Sequence, residues 1–337
     1  MARIITEPLK ARDTLIFSVP GSTDFRNTFS TPDQVGSYCL AVDGPFGSGS
    51  RTLSLPGQKL KLRSGFYWSP RTALAKGTFL QFRAASSVVC SFTHDGAGKI
   101  NFLDTNGNIK AQSVNAVPAD SWRHFQIKYD LSATVSGTGA GVCRFLIDNT
   151  EEFLFTGDTA FGRSYIDNWV LPETSGTSLW ASLYINDDTG PAPENDLEGI
   201  VQMPMAVVIG DSAVALHNDW VRSTGTDGFT LVDEVPYSTA DFVSSITNGQ
   251  KQFFLIAPHG LVAPTQIRSI TARWVPIKIS GGRMEPSFRI SGVDYPSTIR
   301  NLNVAPTILL DRRTTNPAGG NWTLAQNPEV GATTVIP

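Results

Sequence analysis

Residues 121–131 read S-W-R-H-F-Q-I-K-Y-D-L, and after a small-residue loop residues 143–158 read C-R-F-L-I-D-N-T-E-E-F-L-F-T-G-D. In the first run Arg123, Phe125, Ile127 and Tyr129 share one face, and Trp122, His124, Gln126 and Lys128 share the other. A period of two with an apolar and a polar side is the pattern of a half-buried strand. Cys143, Phe145 and Ile147 repeat it, and Phe153 with Phe155 repeats it again beyond the turn Asp148-Asn149-Thr150. Three matched strands of this kind form the middle of an antiparallel sandwich.

The rest of the chain fits around that middle. Its 337 residues exceed one typical core, so two domains are expected. With 41% hydrophobic and 17% charged residues the chain has the composition of a folded protein. Its 30 glycines and 21 prolines, with little helical periodicity, favour many short strands joined by turns. A net charge of −3 gives no electrostatic basis for binding nucleic acid or an anionic membrane. No run approaches the roughly 20 apolar residues of a membrane span. The start, Met1 to Pro8, lacks an apolar core of signal-peptide length. Cys39, Cys90 and Cys143 have no metal-site spacing and lie in apolar, strand-like runs, as buried free thiols of a protein made in a reducing cytosol would.

Strands are expected at Ser37–Val42, Arg51–Leu55, Lys59–Trp68, Gly77–Arg83, Ser87–Phe92, Lys99–Leu103, Ile109–Ser113 and Ser178–Ile185, with Asn106-Gly107 as a hairpin turn and a loop bearing Gly162 and Pro172 before Ser178. That succession fits a jelly-roll sandwich. The acidic, proline-bearing stretch 191–198 reads as a linker between a first domain, 1–190, and a second, 199–337. In the second, Ile200–Gly210 reads as a buried strand, Gly228–Val232, Gln252–Ile256, Gln266–Ile279, Pro286–Ile290 and Thr307–Leu310 as further strands, and Trp322–Leu324 with Gly331–Ile336 as the closing one. The fold class is therefore all-β, two successive sandwiches.

A family resemblance rests on the order of short motifs. Trp122 opening a strand, the C-x-F-x-I-D-N hairpin at Cys143–Asn149, Thr156-Gly157-Asp158, and Ile185–Gly190 (I-N-D-D-T-G) resemble the concanavalin A-like lectin/glucanase or laminin-G fold. Asn195-Asp196-Leu197 with Gly199, Asp219-Trp220, Thr224-Gly225, Leu231–Pro236 and Asp241–Ser245 resemble structural proteins of tailed bacteriophages. Those proteins carry such a lectin-like domain followed by a second β domain. The resemblance covers roughly residues 36–337. It implies a virion component, assembled in the host cytoplasm, whose partners are other virion proteins, copies of itself (a trimer among the expected states) and a host-surface glycan. Docking is assigned to residues 196–337 and outward presentation to 1–190. The alternative is a soluble carbohydrate-binding lectin or a β-glucanase.

The enzymatic alternative centres on Glu194, Asp196 and Glu198, an E-x-D-x-E spacing that laminarinase-type glucanases of this fold use as nucleophile, helper and acid/base. Retaining hydrolysis needs two carboxyl groups about 5–5.5 Å apart. Pro191 and Pro193 argue for linker instead, so no catalytic residue and no enzyme activity is expected. For a cation, Asp148, Asn149, Asp158, Asp187 and Asp188 are oxygen donors of the type Ca²⁺ takes, yet all are ordinary turn residues and none composes a calcium loop. No cofactor is expected otherwise. His94, His124, His217 and His259 are scattered, with no zinc spacing. Tyr38, Tyr67, Trp68, Trp122, Trp169, Trp180 and Tyr184 supply aromatic area, most of it core and one or two rings left for stacking on sugars.

Overall fold

A computed structural model describes residues 3–7, 25–26, 39–42, 50–70, 77–131, 140–172, 178–189, 196–197, 208–225, 227–232, 240–257, 267, 270–274, 276, 282–304, 309–313, 315–323, 326, 328 and 329–336. The chain divides into two compact units, Met1–Met203 and Pro204–Pro337. Of the linker expected at 191–198, only Asp196 and Leu197 are described.

The strands of the first unit are β1 (Arg3–Glu7), β2 (Phe25–Arg26), β3 (Cys39–Val42), β4 (Arg51–Lys59), β5 (Lys61–Pro70), β6 (Gly77–Ala84), β7 (Ser87–His94) and β8 (Ile100–Leu103). They continue with β9 (Ile109–Gln112), β10 (Arg123–Asp130), β11 (Gly141–Ile147), β12 (Thr150–Gly157), β13 (Ile166–Leu171) and β14 (Ser178–Asn186). One sheet has the order β12-β11-β10-β5-β14-β3-β2, with β1 also paired to β14. The other has the order β4-β13-β6-β7-β8-β9. The described pairings are antiparallel, and the chain crosses repeatedly between the sheets, as in a jelly-roll sandwich.

The hairpin that anchors the sequence reading forms in the expected register, Phe125 opposite Ile147 and Ile127 opposite Phe145. Its turn needs positive φ at both central residues, and Asp148 (φ 50°) and Asn149 (φ 67°) tolerate that better than most side chains. Phe125, Ile127, Tyr129, Cys143 and Phe145 are fully buried. They meet the facing sheet through aromatic contacts. Phe92 stacks on Phe145 at 6.0 Å, Phe82 meets Tyr129 edge-on at 5.2 Å, and Trp68 stacks on Phe79 at 4.5 Å. Cys90 and Cys143 are free thiols in this core, and burial pushes the Cys90 thiol up to about 12. The Cys39 side chain lies outside the described residues.

Two local expectations are corrected. The stretch with Gly162 and Pro172 is not all loop: Ile166–Leu171 is β13, placed between β4 and β6. The polar face of β10 is largely covered, since His124 and Gln126 are as buried as the apolar side and only Lys128 stays part-exposed. β5 beside it and β14 beyond β5 are buried almost throughout, so period two here separates two largely covered faces rather than core from solvent. A bulge in β14, with Ser182 at φ 51°, keeps Trp180, Leu183 and Ile185 all in the core cluster despite their uneven spacing.

The second unit contains β15 (Val208–Asp211), β16 (Val221–Arg222), β17 (Val243–Ser244), β18 (Lys251–Ile256), β19 (Ile270–Trp274) and β20 (Arg283–Ile290). β21 (Val293–Pro296), β22 (Arg300–Asn301), β23 (Leu309–Arg313) and β24 (Glu329–Val335) complete it. Its main sheet runs β15-β18-β24-β20-β21, with β22 on β20; β16–β17 and β19–β23 are separate ribbons. Here too the reading is amended. Phe229–Leu231 is a 3₁₀ turn, not a strand. Of the strand expected at Ile200–Gly210, residues 200–207 lie outside the described residues; the rest belongs to β15, an edge strand with Ile209 50% exposed. Trp322 is in no strand; it is buried, and its indole N–H donates to the Arg313 carbonyl at 3.0 Å. The last strand, β24, does not close an edge but lies between β18 and β20.

Candidate functional site

The residues singled out in the sequence fall into separate places. Asp196 lies against the outward side of the eight-stranded sheet, where its Oδ1 accepts from Lys128 Nζ at 3.0 Å and lies 3.8 Å from Arg63 Nε. Burial raises its carboxyl, but the Leu197 N–H, Lys128 and Arg63 outweigh that and hold it below the usual range. A carboxylate so paired has the opposite character from a proton-donating acid. Glu194 and Glu198 lie outside the described residues.

The five oxygen donors do not converge either. Asp148 is committed to the Arg123 guanidinium at 2.8 Å and the His124 N–H at 2.9 Å, and Asn149 accepts from Gln126. Asp187 takes Lys59 and Thr189, and Asp188 pairs with Lys61. Asp158 follows β12, four strand positions from β14 and Asp187, a separation of roughly 19 Å at the usual strand spacing. Among the described residues no group of three or more His, Cys, Asp or Glu side chains is placed to hold a metal ion.

The large aromatics are structural. Trp68, Trp169, Trp180 and Tyr184 are at most 1% exposed, Tyr67 is buried, and Trp122 is half-buried. Tyr38 and His259 lie outside the described residues. His94 is buried against Trp68, and His217 bonds Asp294 in the second unit. His124 is buried edge-on to Tyr67 at 4.9 Å, with neither ring nitrogen hydrogen-bonded. Burial lowers its pKa to about 4, against a smaller upward pull from Asp148.

A different set of side chains forms a concave site. At one end of the sandwich the β8–β9 turn of one sheet approaches the end of β12 in the other. Between them lies an open cavity of about 480 Å³ lined by Asp104, Asn106, Lys110, Phe155, Asp158 and Phe161, with Thr105 beside them.

Two local structures build it. The first is the β8–β9 hairpin that Asn106-Gly107 announces; its loop spans Asp104 to Asn108, with Gly107 at φ 82°. Asp104 Oδ1 accepts the N–H groups of Asn106 and Asn108, each at 2.9 Å, while Oδ2 accepts from Asn108 Nδ2 and pairs with Lys110 Nζ, each at 3.0 Å. Burial raises this carboxyl, but those hydrogen bonds overcome it and hold the group well below the usual carboxylate range. The second is the turn after β12. Asp158 Oδ1 accepts the N–H groups of Ala160 (2.9 Å) and Phe161 (3.1 Å). This places Phe161 at φ 44°, a left-handed conformation that is strained for a bulky residue. The Phe161 ring stands 6.0 Å from Phe102 and the Phe155 ring 5.5 Å, so both rest on the core while remaining part-exposed. Lys110 Nζ lies 5.8 Å from the Phe161 ring centroid.

Of the sequence candidates only Asp158 is in this cavity. Phe155 belongs to the apolar alternation of the sequence, and no sequence motif singles out Asp104, Lys110 or Phe161. The Asp104-x-Asn106-x-Asn108 spacing signals the turn; nothing local signals that Phe161 meets it. Chemically, the arrangement offers two aromatic surfaces beside an Asp104–Lys110 ion pair, the Asp158 carboxylate and the Asn106 amide.

No protein-family model and no curated protein sequence matches the chain. Solved structures similar to it include an endo-β-1,4-glucuronan lyase from the fungus Trichoderma reesei, at 8% identity and a TM-score of 0.41, covering 55% of this chain and 95% of that one. The carbohydrate-binding module CBM66 from Bacillus subtilis is similar at 9% identity and a TM-score of 0.33, covering 51% and 96%. The receptor-binding domain of a botulinum neurotoxin C/D mosaic serotype is similar at 10% identity and a TM-score of 0.39, covering 75% and 70%.

Proposed function

We propose that this chain is a non-catalytic glycan-binding protein, and that it works as an adhesive structural subunit of a tailed-phage particle. The observation that carries the binding is the cavity of the first unit, where Phe161 is held in a strained backbone conformation beside Phe155, Lys110 and two aspartates. A sugar ring has an apolar C–H face and a polar hydroxyl edge. Part-exposed aromatic rings beside hydrogen-bonding groups match both. Strain maintained by a side-chain cap at such a place motivates a functional reading. Binding without cleavage is supported by Asp196, which is tied to Lys128 and Arg63 rather than poised as an acid.

The virion role rests on the order of sequence motifs and is supported by the uneven distribution of apolar surface. Among the described residues, 11 of the 15 exposed large hydrophobic side chains lie in the second unit, against 9 of the 44 buried hydrophobic ones. A unit that exposes so much and buries so little suits docking, to other virion proteins and to copies of the chain. The first unit then presents the glycan site outward. Two experiments test the reading. Full-length protein on a glycan array should bind; silence across the array contradicts the binding role. Purified particles should contain the protein, and the second half alone should rejoin particles that lack it. Absence from particles would leave a soluble lectin in its place.

A further inference from the structure

We propose that the cavity selects neutral hexoses and rejects uronic acids and other acidic sugars, an inference that rests on the glycan-binding reading. The argument is one of charge. Two carboxylates, Asp104 and Asp158, line the cavity against one ammonium, Lys110. That ammonium is already engaged, 3.0 Å from Asp104 Oδ2 and over the Phe161 ring. Asp104 is held ionised by the hydrogen bonds of its own turn, so it does not become neutral to admit a second anion. An incoming carboxylate would therefore meet more negative than positive charge, and no uncommitted cation, among the described lining residues.

A neutral hexose meets the opposite situation. Its hydroxyls are donors, and the Asp158 carboxylate and the Asn106 side-chain carbonyl are acceptors that line the cavity, while Asp104 is occupied by its own turn and Lys110. Hydrogen bonds from hydroxyls to charged acceptors are stronger than neutral ones. The ring's apolar face is left for Phe155 and Phe161. The exocyclic group at C5 decides the outcome: a hydroxymethyl adds a donor, a carboxylate adds a repelled charge.

The test is a ligand-observed NMR titration of the full-length protein with methyl glucoside, galactoside and mannoside, each beside the matching methyl uronide. For whichever ring configuration binds, the neutral sugar should bind at least about tenfold tighter than its uronide, a difference of about 1.4 kcal/mol. Raising the salt to about 1 M, where the screening length falls to about 3 Å, should narrow the gap. Asp158→Asn keeps an acceptor for the Ala160 and Phe161 N–H groups and removes a charge, so it should also narrow the gap. Lys110→Gln, at the exposed rim, should widen it and serves if the first variant folds poorly. Equal or tighter binding of the uronide overturns the selectivity while leaving the glycan-binding reading in place. Failure of both series to bind overturns the reading and the inference together.

Discussion

Gly331 lies opposite Phe253 across the β18–β24 ladder, and a Cβ built on it would fall 2.3 Å from the phenyl Cγ and 2.6 Å from the Gln252 carbonyl oxygen. Both obstacles are rigid, one a buried ring and the other backbone. Gly331→Ala should therefore destabilise the second unit by about 2–4 kcal/mol, at or above the usual cost of overpacking. Because β24 pairs with β18 on one side and β20 on the other, the damage should spread through that sheet. Hydrogen exchange on the full chain would show it as lost protection in β18, β20 and β24, with β10 and β11 unchanged.

The first unit has a matching position with a softer neighbour. A Cβ on Gly65 would fall 2.2 Å from Cε1 of Tyr184, whose ring lies over it from β14. Gly65→Ala should lower the melting temperature of the first unit, and Tyr184→Ala in the same chain should recover part of the loss. Additive losses in the double variant would contradict this coupling.

Phe145 is fully buried between Phe92, Phe125 and Phe153. Phe145→Ala should cost about 3–5 kcal/mol in chemical denaturation. A wild-type midpoint would mean that the inward face of β11 is wrongly assigned.

His124 gives the fold a pH dependence. Its pKa is lowered from 6.5 to about 4 by burial, so between those values the unfolded chain binds the proton and the folded one does not. Stability is then full above pH 6.5 and falls as the pH drops toward 4, by about 3 kcal/mol at about 1.4 kcal/mol per pKa unit. His124→Phe should flatten that limb in unfolding curves taken between pH 7 and 4. Acid loss below pH 4 should persist, since the carboxyls of Asp187 and Asp294 are lowered in the fold by their lysine, arginine and hydrogen-bond partners.

Glu194→Gln, Asp196→Asn and Glu198→Gln should leave no activity altered, because none is expected. Reducing sugar released from β-glucans by the wild type and lost in Glu194→Gln would promote the glucanase alternative. Asp196→Asn should cost less than about 1 kcal/mol, since the Asp196 side chain is 57% exposed.

Much of the fold was legible because period two is a local signal. The inward faces of β10 and β11 could be read residue by residue, as could the Asp148-Asn149 turn. What was missed is non-local. β13 carries Asp167 and Asn168 in its middle and so lacked alternation; its pairing with β4 and β6 decides it. The central place of β24 is a matter of topology, invisible in the sequence of its seven residues. The buried side of β10 carries histidine and glutamine, residue types that ordinarily face water. The cavity joins a turn of one sheet to a turn of the other, with Asp104 and Phe161 57 positions apart, and neither turn alone marks a site.

The glycan site is tested most directly at Phe161. Replacing it by glycine removes the ring and relieves the left-handed backbone, so fold and binding are affected in different directions. Full-length wild type and Phe161→Gly should be compared on the same glycan array, with melting curves alongside. The account predicts that wild type binds, that Phe161→Gly loses at least about tenfold in affinity, and that its melting temperature stays well above that of Phe145→Ala. Undiminished binding by Phe161→Gly, or no glycan bound by the wild type, would contradict it.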